Sequence, residues 1–346
     1  MATENHNLRL LCLDGGGIRG LSTLLIIQRI MFVLDSKVDP AIERPLRPCH
    51  FFDLMAGTST GGLICIMLGT MRMTIDECIT AYLELAPKIF PEEGILYGSK
   101  AGKLFKSFRG AARFDAMALE EEVKNMVANA LKKDKDVAFD QVEALGGCRV
   151  YVVVCATNKD VNKPVRLRSY RSSWEPSTNC TIWQVARATS AAPLYFDPII
   201  FGTPPMSYVD GGLHYNNPIR VALDETKAIW KGTPTCRVGC IVSVGTGVPP
   251  LTAVGERGLE ILESLKSLVT DTEDTARDFE NELEHMDAAE QPAYFRFNVQ
   301  NMQKIGLEEW KEFNMLTGAT NSYLYSQRKD IDRCASILLN FSSMSH

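Results

Sequence analysis

Cysteines at closely defined spacings are missing from this sequence, although it contains 10 cysteines in 346 residues. They are scattered without CxxC or metal-ligand spacing, and Cys12, Cys155 and Cys240 lie in apolar segments. This distribution argues against a zinc centre or a disulfide framework, which both need cysteines at defined spacings. It predicts reduced thiols in the core of a cytoplasmic protein.

Long apolar runs, linkers and an excess of basic residues are also absent. Residues 1–7 are polar, the first apolar run is only Leu8–Leu13, and we expect no later run to reach the length of a membrane span. No Pro/Gly/Ser-rich linker or internal repeat divides the chain, so we expect one domain over residues 1–346. A net charge of −5 gives no support for nucleic-acid binding.

The most informative stretch that is present is Gly57-Thr58-Ser59-Thr60-Gly61. It lies between the apolar runs Phe51–Ala56 and Gly62–Leu68, which predicts a buried strand, a sharp turn and a buried helix. The two glycines leave room for a strained turn that exposes the serine hydroxyl. The helix directs free N–H groups and its positive end at Ser59, so this residue is a candidate nucleophile.

A second glycine cluster, Asp14-Gly15-Gly16-Gly17-Ile18-Arg19-Gly20, follows the predicted strand Leu8–Leu13 and precedes an apolar helix. Its backbone N–H groups could bind phosphate or stabilise an oxyanion. The spacing also fits a dinucleotide fingerprint, with Asp39 near the position of a ribose-binding acid. The serine turn downstream favours the oxyanion interpretation, because acyl transfer needs both parts.

A third motif, Asp210-Gly211-Gly212, places a carboxylate on a tight turn, where it could act as general base for Ser59. The chain has only 5 histidines, and His214 lies four residues after Asp210. The order Ser59, Asp210, His214 matches a serine–acid–histidine triad. One tight turn could not easily align both side chains behind Ser59, so the sequence favours a dyad and leaves the triad as the alternative.

These three motifs together resemble the patatin-like phospholipase family. Two further stretches are similar to that family, Arg187–Phe196 and Tyr294–Val299, so the resemblance spans about residues 8–330. It implies a catalytic Ser59–Asp210 dyad, and no metal or cofactor. The oxyanion hole would use Gly15, Gly16, Gly17 and Thr60, and the residues that support the motifs would be Asp14, Arg19, Gly20, Gly57, Gly61, Gly211 and Gly212.

Strands alternate with helices along the chain, which predicts an α/β fold. With the resemblance, we expect a three-layer α/β/α, patatin-like architecture with a mainly parallel central sheet. The expected strands are Leu8–Leu13, Phe51–Ala56, Arg149–Ala156, Val165–Ser169, Arg237–Val244 and Ala293–Val299. The expected helices are Leu21–Asp35, Gly61–Met71, Ile75–Ile89, Asp115–Lys132, Thr181–Thr189, Asn217–Lys231, Glu256–Ala289 and Glu308–Gln327.

Two segments have unusual charge. Gly98–Phe114 carries five bases, three phenylalanines and no acid, which suits either an anionic lipid surface or a surface connection with inward-packed rings. Glu256–Glu290 has twelve acids against three bases and helical apolar spacing. It predicts an amphipathic helix with a solvated acidic face, and a lid over a lipid site is the alternative.

The resemblance implies a phospholipase A-type carboxylic ester hydrolase that cleaves acyl lipids, in peripheral contact with membranes. Two other functions stay open, a nucleotide-binding enzyme that uses the glycine loop and a lipid-binding effector module. Two arginines are further candidates. Arg19 could order the glycine loop, meet a lipid phosphate or pair with an acid, while the small residues after Arg187 indicate close helix packing.

Overall fold

The computed structural model describes residues 6–91, 114–140, 151–193, 195–233, 236–247, 259–300, 302 and 305–340. The strands are β1 (His6–Leu13), β2 (Leu54–Thr58), β3 (Tyr151–Asn158), β4 (Lys163–Arg168), β5 (Ile199–Phe201), β6 (Met206–Asp210), β7 (Cys236–Val244) and β8 (Ala293–Phe297). The α-helices are α1 (Gly20–Lys37), α2 (Thr60–Cys65), α3 (Ile75–Ile89), α4 (Ala116–Leu131), α5 (Ile182–Thr189), α6 (Gly212–Tyr215), α7 (Ile219–Ile229), α8 (Leu259–Glu284), α9 (Phe313–Ser326) and α10 (Arg328–Asn340).

One 8-stranded sheet has the order β5–β6–β3–β2–β1–β7–β8, with β4 paired to β3 outside that path. The pairs β1–β2, β1–β7, β2–β3 and β7–β8 are parallel. The pairs β3–β4, β3–β6 and β5–β6 are antiparallel. The mainly parallel sheet predicted from the sequence is therefore confirmed, with antiparallel strands on one side.

The central strand β1 shows why the fold has three layers. Leu11 and Leu13 pack into a core on one face with α1, α2 and α3, whereas Leu8, Leu10 and Cys12 pack into a second core with α7 and α8. A parallel strand covered by helices on both faces is apolar at nearly every position. This alternation confirms the α/β/α architecture expected from the sequence.

The first helix departs from the expectation that no run would reach the length of a membrane span. Within the described ranges, Gly17–Lys37 is long and apolar enough to cross a membrane by length and composition. However, 67% of the 18-residue apolar stretch that meets this criterion is buried inside the protein. The helix is apolar because it packs between the sheet and the helices α3, α9 and α10.

The register of β3 brings the serine and aspartate motifs together. Thr58, the last residue of β2, pairs with Cys155, and Asp210, the last residue of β6, pairs with the adjacent Ala156. Strand β4 pairs with β3 along one side of that strand. Strands β2 and β6 therefore both pair with the other side of β3, and their carboxyl ends meet there. Ser59 and Asp210, which are 151 positions apart in the sequence, therefore become neighbours.

Several boundaries differ from the expectation, for local reasons. Strand β2 begins at Leu54 and not at Phe51, whose N–H donates to the Pro48 carbonyl at 3.0 Å in the preceding 3₁₀ turn. The helix after Ser59 changes after Cys65 into a π-turn, Ile66–Thr70, in which the Met71 N–H donates to the Ile66 carbonyl. Strands β5 and β6 and the helices α6 and α10 are absent from the expected strands and helices. Of the basic segment Gly98–Phe114, only Phe114 is within the described residues, and residues 256–258 also lie outside them.

Candidate active site

Ser59 occupies a strained turn between β2 and α2. Its φ of 54° and ψ of −125° lie outside the usual regions for a residue with a side chain. Close backbone packing enforces this turn, since a Cβ at Gly57 would lie 2.3 Å from the Gly61 carbonyl oxygen. A Cβ at Gly61 would lie 2.2 Å from the Leu13 carbonyl oxygen. Both glycines are therefore required by the close approach of the turn to itself and to β1.

Thr189, at the end of α5, fixes the backbone of this turn. Its hydroxyl accepts a hydrogen bond from the Ser59 N–H at 2.8 Å and donates one to the Cys155 carbonyl at 2.8 Å. The serine turn is thereby tied to β3, the strand that also pairs with Asp210. Sequence reasoning assigned the run after Arg187 to helix packing and missed this contact, because a lone threonine carries no motif.

The Asp210 carboxyl faces Ser59 and is only 5% exposed. It accepts a hydrogen bond from the Ser59 hydroxyl and another from the Gly212 N–H at 2.8 Å. Burial raises the pKa of Asp210 to about 6, and these two hydrogen bonds oppose the shift. A carboxylate with this pKa is ionised at neutral pH and basic enough to accept a proton from a neighbouring hydroxyl.

The glycine loop supplies backbone donors beside Ser59. Within the residues that the structure places, no acceptor is assigned to the N–H groups of Gly16, Gly17 or Thr60. Gly15 differs, because its N–H donates to the Asn216 carbonyl at 3.2 Å. Three of the four donors predicted from the sequence are thus available, and the fourth holds the loop against the segment that follows Asp210.

The conformation of the loop depends on several long-range contacts. Gly17 has a φ of 57°, and a Cβ there would lie 2.4 Å from the Leu307 carbonyl oxygen. The Arg19 Nε donates to the Gly16 carbonyl at 3.4 Å, and Arg19 is 5% exposed. Burial lowers the pKa of Arg19 to about 10. Of the roles considered for Arg19, ordering the loop is the one that these contacts support.

A buried ionic network lies behind the glycine loop. Arg296 on β8 pairs with Asp14 at 2.6 Å and with Glu273 on α8 at 2.7 Å. Asn298 donates to Glu273 at 2.7 Å. Burial raises the pKa of Asp14 to about 6 despite Arg296, and both carboxylates raise the pKa of Arg296 although burial opposes it. Arg296 therefore joins Asp14 and Glu273 in one ion-pair network.

Helix α8 is anchored to the site by the same region. The Asn216 Nδ2 donates to the Thr272 hydroxyl at 2.7 Å, and Phe279 and Leu283 are buried against the sheet. From Thr272 to Leu283 the helix is consequently a structural part of the fold. These contacts support the amphipathic helix predicted from the sequence and not the lid for this part of α8.

The histidines whose side chains are described make other contacts. The exposed His214 approaches the Asn162 Oδ1 with its Nε2 at 3.3 Å. The Nδ1 of His285 lies 2.6 Å from the Asn281 carbonyl oxygen, and the Nδ1 of His50 accepts from the Arg47 N–H at 3.3 Å. Asp210 is thus the titratable group with an identified hydrogen bond to Ser59.

The dinucleotide alternative does not fit the position of Asp39. This residue follows α1, an 18-residue helix that spans about 27 Å at 1.5 Å per residue. The glycine loop lies at the other end of that helix. The Asp39 carboxylate instead accepts the Ala41 N–H at 2.8 Å in a local turn, so it is not placed to bind a ribose beside the loop.

An apolar cavity opens beside the serine turn. Gly17, Ser59 and Thr60 contribute to its wall, and the remainder comes largely from apolar side chains that include Leu85, Ile89, Phe90, Leu119 and Phe196. Its volume is about 620 Å³, including the part open to solvent. No cluster of three or more His, Cys, Asp or Glu side chains that could hold a metal occurs in the part of the chain that the structure describes.

Comparison with known proteins agrees with this architecture. The family model of patatin-like phospholipases matches residues 11–223. Calcium-independent phospholipase A2-gamma from Rattus norvegicus is 30% identical over 340 residues, which cover 94% of this chain and 39% of that protein. Patatin-like phospholipase 1 from Plasmodium falciparum is 27% identical, over 96% of this chain and 49% of that protein. The chain spans two fifths to one half of the length of these relatives.

Among solved structures, VipD from Legionella pneumophila is similar with a TM-score of 0.44 and 13% identity, over 93% of this chain and 68% of that one. The sheet with helices on both faces defines the fold of this chain, and the match to the family model defines its family. The matched residues include the glycine loop, the serine turn and the Asp210 motif. This chain therefore belongs to the patatin-like phospholipase family.

Proposed function

We propose that this chain is a lipid acyl hydrolase that cleaves fatty-acyl esters with a Ser59–Asp210 dyad. The observation that carries the proposal is the meeting of β2 and β6 along β3, which sets the buried Asp210 carboxylate against the Ser59 hydroxyl. A serine is a weak nucleophile until an adjacent base takes its proton, and Asp210 is the base in contact with it. The strained turn presents the same hydroxyl at the apolar cavity.

The first half of the reaction acylates the enzyme. The Ser59 oxygen attacks the ester carbonyl carbon, and its proton passes to Asp210. The N–H groups of Gly16, Gly17 and Thr60 stabilise the negative oxygen of the tetrahedral intermediate. When the intermediate collapses, the ester C–O bond breaks and Asp210 gives its proton to the departing alcohol.

The second half releases the fatty acid. A water molecule attacks the acyl carbonyl carbon while Asp210 takes a proton from it, and the same backbone donors stabilise the second oxyanion. The bond to Ser59 then breaks, and the proton returns from Asp210 to the serine oxygen. The same carboxylate thus acts as base and acid in turn, which suits a pKa near 6.

The shape of the site supports an acyl lipid as the substrate. The cavity beside Ser59 is walled by leucine, isoleucine and phenylalanine side chains, so burying an alkyl chain there removes apolar surface from water. The relatives that match most of this chain are named as phospholipases, and one of them as calcium-independent. We therefore propose a phospholipid substrate, reached by peripheral contact with a membrane, and hydrolysis without a metal.

The dyad is tested by three variants assayed on phosphatidylcholine vesicles and on a soluble short-chain ester. Ser59→Ala should lose hydrolysis of both substrates and covalent labelling by a fluorophosphonate, because the nucleophile is gone. Asp210→Asn should slow hydrolysis about 10²- to 10⁴-fold, the usual contribution of a general base.

His214→Ala is the matched control, since His214 lies in α6, four residues after Asp210, and is exposed. It should keep most of the activity. Fluorophosphonate labelling that survives in a folded Ser59→Ala protein would refute the nucleophile. A folded but inactive His214→Ala protein would replace the dyad with a triad.

A further inference from the structure

The two arms of the proposed oxyanion hole come from different parts of the chain and need a connection. Gly16 and Gly17 follow β1, whereas Thr60 begins α2 after β2. Donors act on a transition state only when they are held in position before the reaction, and a displacement of about 1 Å can cost 10²-fold in rate. The side chain that connects the two arms is therefore relevant to catalysis, even without touching the substrate carbonyl.

Tyr82 on α3 makes this connection with one oxygen atom. Its hydroxyl lies 2.5 Å from the Gly17 carbonyl oxygen and 2.7 Å from the Thr60 Oγ1. The Gly17 carbonyl can only accept, so the single phenolic proton goes to Gly17 and the Thr60 hydroxyl donates to Tyr82. The chain of hydrogen bonds thus runs in one direction, from Thr60 through Tyr82 to Gly17.

The buried surroundings of Tyr82 preserve these two hydrogen bonds. Tyr82 is 5% exposed, and burial raises the pKa of its phenol, so the hydroxyl keeps its proton at the pH values at which Asp210 is ionised. Close packing surrounds it, since a Cβ at Gly20 would lie 2.6 Å from the Tyr82 hydroxyl and 2.7 Å from the Thr60 Oγ1. Gly20 therefore makes room for the contact between Tyr82 and Thr60.

The glycine loop needs such an anchor because glycine itself resists rotation poorly. Gly17 has a φ of 57°, and without side chains the peptides on either side of it can rotate at little steric cost. Arg19 holds the preceding carbonyl, of Gly16, and the Ile18 N–H donates to the Leu307 carbonyl at 2.9 Å. Tyr82 holds the Gly17 carbonyl and is the contact that also reaches the serine turn.

We propose that Tyr82 is a positioning residue that sets the distance between the glycine-loop donors and the Thr60 donor through its bonds to Gly17 and Thr60. This inference rests on the proposed hydrolase function. It adds a role for α3, the helix that also lines the apolar cavity with Leu85 and Ile89. The ring of Tyr82 belongs to that wall, whereas its hydroxyl serves the oxyanion hole.

Tyr82→Phe separates these two roles, because it keeps the ring and removes only the oxygen. With a soluble short-chain ester, we expect kcat to fall about 10- to 100-fold and KM to change by less than about twofold. This fall in kcat does not exceed the fall of about 10²- to 10³-fold that follows when one oxyanion donor is removed. The rate of inactivation by a fluorophosphonate should fall by a similar factor, since its tetrahedral phosphorus also needs the donors.

Tyr208→Phe is the matched control. Tyr208 is fully buried, and its hydroxyl has no assigned partner among the residues described, so this variant also removes one buried phenolic oxygen. It should keep the kcat of the wild type. An equal fall of kcat in both tyrosine variants would overturn the proposal and indicate a general effect on the core.

A double-mutant cycle tests the connection itself. Thr60→Val removes the hydroxyl that donates to Tyr82, and Thr60→Ser should recover part of the kcat that the valine variant loses. If both side chains act through one chain of hydrogen bonds, the losses in the Tyr82→Phe/Thr60→Val protein will be far from multiplicative. Multiplicative losses would contradict the connection.

The outcome for Tyr82 is distinguishable from the outcome for the function. If Ser59→Ala is inactive while a folded Tyr82→Phe protein keeps full kcat, the hydrolase function stands and the positioning role is refuted. If the wild-type chain hydrolyses neither ester nor vesicle lipid and is not labelled, the proposed function itself fails, and the role of Tyr82 fails with it.

Discussion

At the residue scale, the two residues of the proposed dyad occupy positions that cost stability. Ser59 adopts a positive φ that side chains rarely adopt, and Asp210 is a carboxylate buried to 95%. A buried carboxylate at neutral pH is destabilising unless hydrogen bonds or charges compensate its lost hydration. The two bonds to Asp210 compensate only in part, since its pKa remains raised to about 6. The proposed role of Asp210 as a buried base therefore lowers the stability of the protein at this residue.

Asp210→Asn should consequently raise the stability of the protein at neutral pH while it removes activity. The pKa of Asp210 is about 6 in the folded chain against a reference of 3.8, so the folded state binds a proton between these values that the unfolded state releases. The free energy of unfolding therefore falls as the pH rises through this window. The shift corresponds to about 3 kcal/mol above pH 6, at about 1.4 kcal/mol per pKa unit.

Urea unfolding of both proteins at several pH values checks this sign. The stability gain of Asp210→Asn should be largest above pH 6 and should disappear below about pH 3, where the aspartic acid of the wild type is protonated in both states. Asp224→Asn is the control, because Asp224 is an exposed partner of Arg166 and should change stability little. A variant less stable than the wild type at pH 7.5 would contradict the argument.

The candidate residues could be predicted from local sequence, but their supports could not. Ser59 and Asp210 lie in short motifs whose glycines and neighbours announce a turn, so the sequence identified both. Thr189 and Tyr82 act through single hydroxyls that come from α5 and α3. Nothing in the neighbouring sequence distinguishes such hydroxyls from ordinary ones, because their partners are distant along the chain. The occupied N–H of Gly15 was missed for the same reason, since its acceptor is Asn216.

At the element scale, helix α8 shows how one helix makes ion pairs of unequal value. Its Glu273, with a side chain that is 33% exposed, pairs with Arg296, which is 8% exposed and also pairs with Asp14, which is 1% exposed. Its Glu282 pairs with Arg220 at 2.5 Å, where the two side chains are 36% and 56% exposed. An exposed pair is screened by water, whereas a buried charge that loses its partner remains without compensation.

Arg296→Met and Arg220→Met should therefore differ strongly in stability. The first leaves Asp14 and Glu273 without their cation, and we expect it to lower the free energy of unfolding by about 3 to 5 kcal/mol at pH 7.5. The second should cost about 0 to 1 kcal/mol. Chemical unfolding monitored by circular dichroism measures both. If the free energy of unfolding falls by similar amounts in the two variants, the ion pairs of Arg296 contribute no more to stability than an exposed pair does.

Element positions followed from the sequence wherever a segment was long and periodic. Ile75–Ile89 was predicted with the bounds that the structure has, and its Thr74–Glu77 capping box supports the start. Strand β5 has three residues and α6 has four, too short for a periodic pattern. Helix α10 was missed because its polar residues outnumber its apolar ones, and only Ile331, Cys334, Ala335 and Leu338 are buried.

At the scale of the whole molecule, the topology of the sheet creates the site. The parallel strands β1 and β2 have their carboxyl ends at the same end of the sheet, which places the glycine loop beside the serine turn. Strand β6 runs antiparallel to β3, so its last residue, Asp210, approaches the carboxyl end of β2 from the opposite direction. The fold class could be predicted from the order of elements, but this meeting of β2 and β6 along β3 is a matter of register, which the sequence pattern does not specify.

The proposed contact with membranes is a property of the whole molecule. The basic segment Gly98–Phe114 lies outside the described residues except for Phe114, so its prediction rests on sequence alone. Each base near an anionic surface contributes about 1 kcal/mol, and salt screens the attraction. Replacing Lys100, Lys103 and Lys106 together by glutamine should weaken binding to phosphatidylserine-containing vesicles by roughly two decades at low salt.

The same triple variant should hydrolyse a soluble short-chain ester at the wild-type rate, because Ser59, Asp210 and the backbone donors lie in other segments of the chain. Co-sedimentation with anionic and with neutral vesicles, each at low and high salt, separates the electrostatic part of binding from the apolar part. If the segment meets the membrane, the difference between the variant and the wild type will shrink as salt rises, since screening removes the attraction that the lysines provide. Equal binding of both proteins to anionic vesicles at low salt would assign the segment to an ordinary surface connection and leave membrane contact to other residues.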